Sequence, residues 1–181
     1  MKHLPNILTM SRIFVIPILI AAFYLPAPWG NWVAFVVFTL AGITDYFDGY
    51  FARTYKVTSR LGKFLDPIAD KLMVAATLLM LTAFKVITDI HILAAMVILL
   101  REILVSGLRE FLSEMKVSVP VTKIAKWKTA FQLIALGALL IGGAAPPWLP
   151  AMEIGLALLW LAAIFTLYTG YDYLRVGLKH F

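Results

Sequence analysis

The sequence predicts an all-α integral membrane protein of six transmembrane helices, and three observations lead to this fold class. Apolar side chains make up 62% of the 181 residues, and the mean hydropathy is +0.89. Charged residues make up only 14%, far fewer than in a soluble domain of this length. The apolar residues gather into six stretches, and a helix needs roughly 20 of them to cross the hydrocarbon. Little chain remains for a soluble domain, so residues 1–181 are predicted to form one membrane domain.

The predicted spans follow these apolar stretches in chain order. They are Leu8–Tyr24, Trp32–Phe47, Pro67–Phe84, Ile90–Phe111, Thr129–Ile141 and Met152–Tyr173. Segments that contain proline separate several of them, at residues 26–31, 119–120 and 142–150. A basic residue precedes the first run, as in a secretory signal. Arg12 and Pro17 inside that run, together with the five later spans, predict an uncleaved helix instead.

The distribution of lysine and arginine predicts the orientation. If both termini are cytoplasmic, the outer loops contain only Lys85, while Arg101 lies within a span and does not count. The cytoplasmic side then receives Lys2, Arg12, Arg53, Lys56, Arg60, Lys63, Lys71, Arg109, Lys116, Lys123, Lys126, Lys128, Arg175 and Lys179. The net charge of +6 therefore reflects topology and anionic lipid rather than nucleic-acid binding. The absence of cysteine excludes disulfides and thiol chemistry.

The most informative segment lies between the second and third spans and contains four aspartates. Asp45 and Asp48 are three residues apart, and Asp66 and Asp70 are four apart, so each pair shares one face of its helix. Two antiparallel helices joined by a short cytoplasmic turn can bring those faces together. We therefore predict that four carboxylates converge at the cytoplasmic rim.

A cation must compensate this concentration of negative charge. A carboxylate at the bilayer centre costs about 3 kcal/mol, less near the interface, and crowded carboxylates also repel one another. Arg53 could pair with one of the aspartates, but one guanidinium cannot balance four charges. Clustered oxygen ligands suit Mg²⁺ or Mn²⁺, and two ions bridged by shared carboxylates fit the number. The alternative is that the aspartates are interfacial charges that cap helix ends, since Asp66 directly precedes Pro67.

Small residues accompany the aspartates. Gly49, Ala52 and Gly62 can let the backbone approach a bulky ligand closely, although each by itself could equally serve helix packing.

The complete pattern is DxxDGxxAR, eight residues, then GxxxDxxxD, and residues 45–70 match it at every position. It resembles the signature of the CDP-alcohol phosphotransferase family, and the resemblance continues from residues 5–12 to the sixth span. It implies six transmembrane helices around a polar cavity open to the cytoplasm, usually in a homodimer. The implied reaction moves a phosphatidyl group from CDP-diacylglycerol to a small alcohol. The implied location is the bacterial inner membrane.

The resemblance also implies roles for individual residues. Asp45, Asp48, Asp66 and Asp70 would bind two divalent ions, and Asp70 would also be the general base. The positions that would contact the CDP-lipid or make room for its nucleotide are Asn6, Thr9, Gly49, Ala52, Arg53, Ser59 and Gly62.

The acceptor alcohol is indicated by basic residues in and after the fourth span. Arg101 lies deep in an apolar run, and buried charges are usually functional or paired. One hypothesis is a basic pocket for a phosphorylated acceptor, with Arg109, Lys123 and Lys126 as the favoured contacts. The other is that Arg101 pairs with a carboxylate on another helix, while the lysines, including Lys128, only follow the positive-inside rule.

The segments 101–110 and 123–129 are similar to bacterial phosphatidylglycerophosphate synthases, a branch of the family. This resemblance implies sn-glycerol 3-phosphate as acceptor and phosphatidylglycerol phosphate as product. Sibling activities that use inositol phosphate, serine or phosphatidylglycerol remain open. So does a transporter whose intramembrane acids carry protons or cations, although no inverted repeat is visible and the acids lie at one rim.

Overall fold

The computed structural model describes residues 4–55, 60–115 and 123–177, with side chains for residues 13–44, 68–112, 115 and 127–175. These ranges are helical throughout, apart from short connections, and contain no strand. The helices are α1 Leu4–Ala22, α2 Trp29–Tyr55, α3 Arg60–Ala83, α4 His91–Glu114, α5 Lys123–Ile141 and α6 Ala151–Gly177, with a 3₁₀ turn at Gly142–Ala144. The predicted all-α fold class is confirmed, and each predicted span coincides with most of one helix.

Several helices are longer than the apolar stretches that predicted them. The apolar pattern marks only lipid-facing or core-facing residues, whereas backbone hydrogen bonding carries a helix onward into polar sequence. The largest difference is at α2, which ends at Tyr55 rather than at Phe47, and the next is at α3, which begins at Arg60 rather than at Pro67. Asp66 therefore lies inside α3, so the alternative in which it caps the start of that helix is wrong.

Exposed apolar surface characterises the described part of the chain. Its helices contain three stretches that are long and apolar enough to cross a membrane, His91–Leu112, Trp127–Ala144 and Ala151–Arg175. Shorter apolar helical stretches are Ile13–Ala22 and Trp29–Thr44. Large apolar side chains point outward, as at Leu100, Ile103 and Leu167, each more than half exposed. Patches of this kind mark contact with lipid or with another protein.

The helices pack as two groups that meet along α5 and also where α3 contacts α4. In the first, α1 contacts both α2 and α3; in the second, α6 contacts α4 and α5; α2 and α3 both contact α5. Small residues allow close packing in the second group: a Cβ atom at Gly155 of α6 would lie 2.7 Å from Leu139 Cγ of α5. The core between the groups contains buried apolar side chains from all six helices.

The chain direction places most basic residues at one end of the bundle, which we call the basic end. It contains the carboxyl ends of α2, α4 and α6 and the amino ends of α1, α3 and α5. Lys85 lies in the α3–α4 connection at the opposite end. There the Asn31 side chain donates a hydrogen bond to the Leu140 carbonyl (3.0 Å), and the Trp160 indole donates to His91 Nδ1 (3.0 Å).

Candidate active site at the basic end

The four aspartates lie on the carboxyl-terminal half of α2 and the amino-terminal half of α3, and both of these halves are toward the basic end. Asp45 and Asp48 lie on α2, Asp66 and Asp70 lie on α3, and only residues 56–59 separate the two helices. The Asp70 side chain is partly buried. The side chains of the other three aspartates are outside the described residues, so their convergence stays a prediction. Helical spacing and a four-residue connection are compatible with it.

The predicted CDP-lipid residues occupy the same end of the bundle by their place in the helices. Asn6 and Thr9 lie in the first turns of α1, and Gly62 lies near the start of α3. The last turns of α2 contain Gly49, Ala52 and Arg53. Their side-chain contacts, and the whole of Ser59, lie outside the described residues.

The four carboxylates form the predicted metal site. Among the described side chains no group of three or more His, Cys, Asp or Glu could hold a metal ion, and only Asp70 of the predicted ligands belongs to that set. Converging as predicted, the four carboxylates would form a hard oxygen donor set. That chemistry fits Mg²⁺ or Mn²⁺.

The predicted acceptor residues fall on two helices. Arg109 lies on α4 near the basic end, and its side chain is exposed. Lys123 and Lys126 lie in the first turn of α5, and their side chains are outside the described residues. Lys128 differs from a surface lysine, because it is 5% exposed and forms a hydrogen-bonded ion pair with Glu102 of α4. The positive-inside rule alone therefore does not explain Lys128.

A buried polar network joins α4, α5 and α6. We call Arg101, Glu102, Lys128, Thr169 and Tyr173 the Arg101 network. Arg101 donates from Nη2 to the Thr169 hydroxyl (2.9 Å), and its Nη1 lies 3.6 Å from Glu102 Oε1. Its guanidinium also lies 5.8 Å from the centre of the Tyr173 ring.

Two roles were expected for Arg101, a contact to the acceptor phosphate or an ion pair with a carboxylate on another helix, and the network tests only the second. Its nearby carboxylate is on its own helix, so the expected pairing with a carboxylate on another helix is wrong for the described residues. The contact that reaches another helix is a hydroxyl.

Sequence reasoning missed the face of α6 that contacts this network. Thr166, Thr169, Gly170 and Tyr173 follow the spacing i, i+3, i+4 and i+7, which places them on one helical face. A Cβ atom at Gly170 would lie 3.1 Å from Arg101 Cγ, so this glycine leaves room for the arginine stem. A polar and small stripe in an otherwise apolar helix was the signal that could have found them.

Three buried polar atoms in this region have no hydrogen-bond partner within the described part of the chain. They are Arg101 Nε, Gln132 Oε1 and Thr166 Oγ1. Gln132 is one helical turn beyond Lys128 on α5, and Thr166 is nearly one turn before Thr169 on α6. Unpaired buried polar atoms are costly, so each of these three atoms retains an unused capacity for a hydrogen bond.

Comparison with known proteins places the chain among enzymes of one family. The family model described as CDP-alcohol phosphatidyltransferase matches residues 2–168. The chain belongs to this family. The matched range includes the four aspartates, and the resemblance to this family is confirmed.

Three relatives align with this chain over nearly the full length of both proteins. A protein of Rickettsia typhi is 45% identical over 181 residues, which cover 100% of both chains. A protein of Rickettsia bellii is 44% identical over 180 residues, covering 99% of this chain and 98% of the relative. One of Haemophilus influenzae is 40% identical over 180 residues, covering 97% and 93%. All three are named CDP-diacylglycerol--glycerol-3-phosphate 3-phosphatidyltransferase.

Proposed function

We propose that this chain is a membrane phosphatidyltransferase that converts CDP-diacylglycerol and sn-glycerol 3-phosphate to phosphatidylglycerol phosphate and CMP. The observation that carries the proposal is the 45% identity over the whole length of both chains with the Rickettsia typhi protein of that name. The complete aspartate motif and the family match support the reaction class. The basic residues of α4 and α5 support a phosphorylated acceptor.

In the proposed reaction, a hydroxyl oxygen of glycerol 3-phosphate forms a bond to the phosphorus of the phosphatidyl group. The bond from that phosphorus to the CMP oxygen breaks, and the hydroxyl proton passes to Asp70. Asp45, Asp48, Asp66 and Asp70 would hold two divalent ions, Mg²⁺ or Mn²⁺. When bound, such ions neutralise the pyrophosphate and acidify the attacking hydroxyl.

The remaining residues bind and orient the substrates. Asn6, Thr9, Gly49, Ala52, Arg53, Ser59 and Gly62 are assigned to the CDP-lipid. Arg109, Lys123 and Lys126 are assigned to the acceptor phosphate. We add Arg101, because it is a partly buried cation with an unpartnered Nε–H among the described residues. A charge held in that state is expensive unless an anion completes its contacts.

The proposed setting is the bacterial inner membrane, with six spans, both termini cytoplasmic, the site open to the cytoplasm, and a homodimer as the assembly. The chain has no cysteine, which permits a clean test of topology. In intact cells, Lys85→Cys is expected to react with a membrane-impermeant maleimide after outer-membrane permeabilisation, whereas Arg175→Cys reacts only after lysis. Equal labelling of both positions in intact cells contradicts the proposed orientation.

The decisive test of function is CMP release from detergent-purified protein given CDP-diacylglycerol and Mg²⁺. Glycerol 3-phosphate, inositol phosphate, serine and phosphatidylglycerol are supplied in parallel, and the lipid product is identified by mass spectrometry. We expect rapid CMP release and phosphatidylglycerol phosphate only with glycerol 3-phosphate. Faster release with another acceptor contradicts the assigned substrate, and no release with any acceptor contradicts the enzyme class.

A further inference from the structure

The Arg101 guanidinium is fixed mainly by α6. Thr169 accepts a hydrogen bond from Nη2, Tyr173 lies one turn further on with its ring 5.8 Å from the guanidinium carbon, and Gly170 leaves space for the stem. On α4, Glu102 approaches only to 3.6 Å, beyond hydrogen-bonding distance. Among the described residues, the guanidinium of Arg101 therefore donates one direct hydrogen bond, to Thr169.

The hydrogen bonds of Thr169 to its own helix leave its hydroxyl oxygen able to accept a hydrogen bond from Arg101. Its hydroxyl donates to the Phe165 carbonyl at 2.9 Å, with the Thr166 carbonyl at 3.2 Å as a second acceptor. A hydroxyl has one proton, so once this proton faces the helix backbone the oxygen can only accept from Arg101. The Thr169 side chain is 1% exposed, so its hydroxyl is shielded from water.

The network lies beside the helix of the proposed general base. Lys71, the residue after Asp70, is close enough to Lys128 for their charges to interact, and α3 contacts α5. Arg101 and Lys128 carry two positive charges against one on Glu102, so these three residues present net positive charge. An acceptor whose hydroxyl reaches Asp70 would thus have cationic groups near its phosphate.

We infer that Thr169 is a positioning residue for the acceptor: its hydroxyl holds the Arg101 guanidinium in the orientation that binds the phosphate of glycerol 3-phosphate. Thr169 itself does not touch the substrate. This inference rests on the proposed function, which supplies the acceptor and the role of Arg101. It goes further in assigning acceptor affinity to a residue of α6, outside the aspartate motif and the basic segments.

The test compares three substitutions on one face of α6. Thr169→Val keeps the shape and removes the accepting oxygen, and Thr169→Ser keeps the oxygen. Thr166→Val is the matched control, because Thr166 is equally buried and its hydroxyl has no hydrogen-bond partner among the described residues. For each purified protein, KM for glycerol 3-phosphate, KM for CDP-diacylglycerol, kcat and Tm are measured.

Thr169→Val is expected to raise the KM for glycerol 3-phosphate about tenfold, the typical effect of losing a hydrogen bond to a charged group. Its kcat and its KM for CDP-diacylglycerol should stay within about twofold of wild type, as should all constants of Thr169→Ser and Thr166→Val. The inference is overturned if Thr169→Val and Thr166→Val have the same KM for glycerol 3-phosphate. It is also overturned if Thr169→Val raises both KM values equally, since that result indicates general loosening of the helices.

A second variant keeps the inference testable if Thr169→Val does not fold. Gly170→Ala places a methyl group against the Arg101 stem and should raise the acceptor KM without changing the KM for the lipid. An unchanged acceptor KM overturns the inference. Wild-type protein that releases no CMP with glycerol 3-phosphate overturns the proposed function and the inference together. An active wild type with unaffected Thr169 variants overturns the inference alone.

Discussion

The aspartate segment and the Arg101 network both concentrate charge in the half of the bundle toward the basic end, but the chain assembles them differently. The four aspartates lie within 26 residues of sequence, on two consecutive helices. The Arg101 network joins residues 26 positions apart, from Glu102 to Lys128, and 68 positions apart, from Arg101 to Thr169. The first is a local motif on α2 and α3, and the second exists only after α4, α5 and α6 have packed.

The two regions also balance charge differently. The four aspartates share residues 45–70 with Arg53, Lys56, Arg60 and Lys63, and the proposed function supplies metal ions as further counter-charge. The Arg101 network contains its own carboxylate, Glu102, and hydroxyl partner, Thr169, among the described residues. The comparison therefore predicts that substitutions in the first region remove catalysis, while those in the second change stability and acceptor binding.

The largest expected effect is at the three aspartates assigned only to metal binding. Asp45→Ala, Asp48→Ala or Asp66→Ala should abolish CMP release while the protein still inserts, because no neighbouring side chain can replace the lost ligand. Glu153→Ala is the control, since it removes an exposed carboxylate from a helix at the opposite end. Near-normal turnover of any of the three variants at saturating Mg²⁺ would contradict the two-metal proposal.

The next largest effect is expected for Asp70→Asn, which distinguishes a general base from a metal ligand at this position. Asn is nearly isosteric and keeps a carbonyl oxygen for a metal ion, but it cannot take the hydroxyl proton. Asp70→Asn should bind CDP-diacylglycerol with Mg²⁺ in calorimetry and lose about 10² to 10⁴ in kcat. Retention of more than about a tenth of wild-type kcat shows that Asp70 is not the base. Loss of lipid binding shows instead that it acts mainly as a ligand.

The Arg101 network should respond first in stability. Glu102→Gln leaves Arg101 and Lys128 as buried like charges, whereas Lys128→Met leaves the Arg101–Glu102 pair. Removing one partner of a buried pair typically costs about 3 to 5 kcal/mol, and Glu102→Gln should fall in that range. Thermal unfolding in detergent should therefore give a lower Tm for Glu102→Gln than for Lys128→Met. Lys85→Met, in the connection at the other end, is the control; the reverse order of Tm contradicts this account.

The smallest of these effects is expected at Arg109, which is exposed near the basic end. Arg109→Ala should raise the KM for glycerol 3-phosphate roughly 10- to 150-fold, the equivalent of about 1.5 to 3 kcal/mol for a charge-assisted contact. The KM for CDP-diacylglycerol should not change. Arg175→Ala, which removes another exposed arginine from the same end, tests whether the effect is specific to position. A raised lipid KM beside an unchanged acceptor KM places Arg109 on the other substrate.

The sequence by itself determined the fold class, the number of helices in the described ranges, and the family. Apolar stretches of membrane length need no tertiary information, because each helix satisfies its own backbone hydrogen bonds in the bilayer. The aspartate spacing is equally local, since positions three and four apart share a face in any helix. Helix ends were predicted less well: α3 begins at Arg60 because hydropathy does not record helix that continues past the apolar part.

Only the tertiary structure decided which polar groups meet inside α4, α5 and α6. The sequence marked Arg101 as an unusual buried cation but not Thr169 as its partner, because a threonine in an apolar helix commonly bonds its own backbone. Thr169 does so, through Phe165, and its remaining lone pairs reach Arg101 only because α6 packs against α4. Lys128 likewise matches the pattern of a surface lysine in the sequence. It forms a buried ion pair with Glu102 because α4 and α5 both pack against α6. Contacts between residues far apart in the chain depend on helix rotation and depth, which hydropathy and local spacing do not specify.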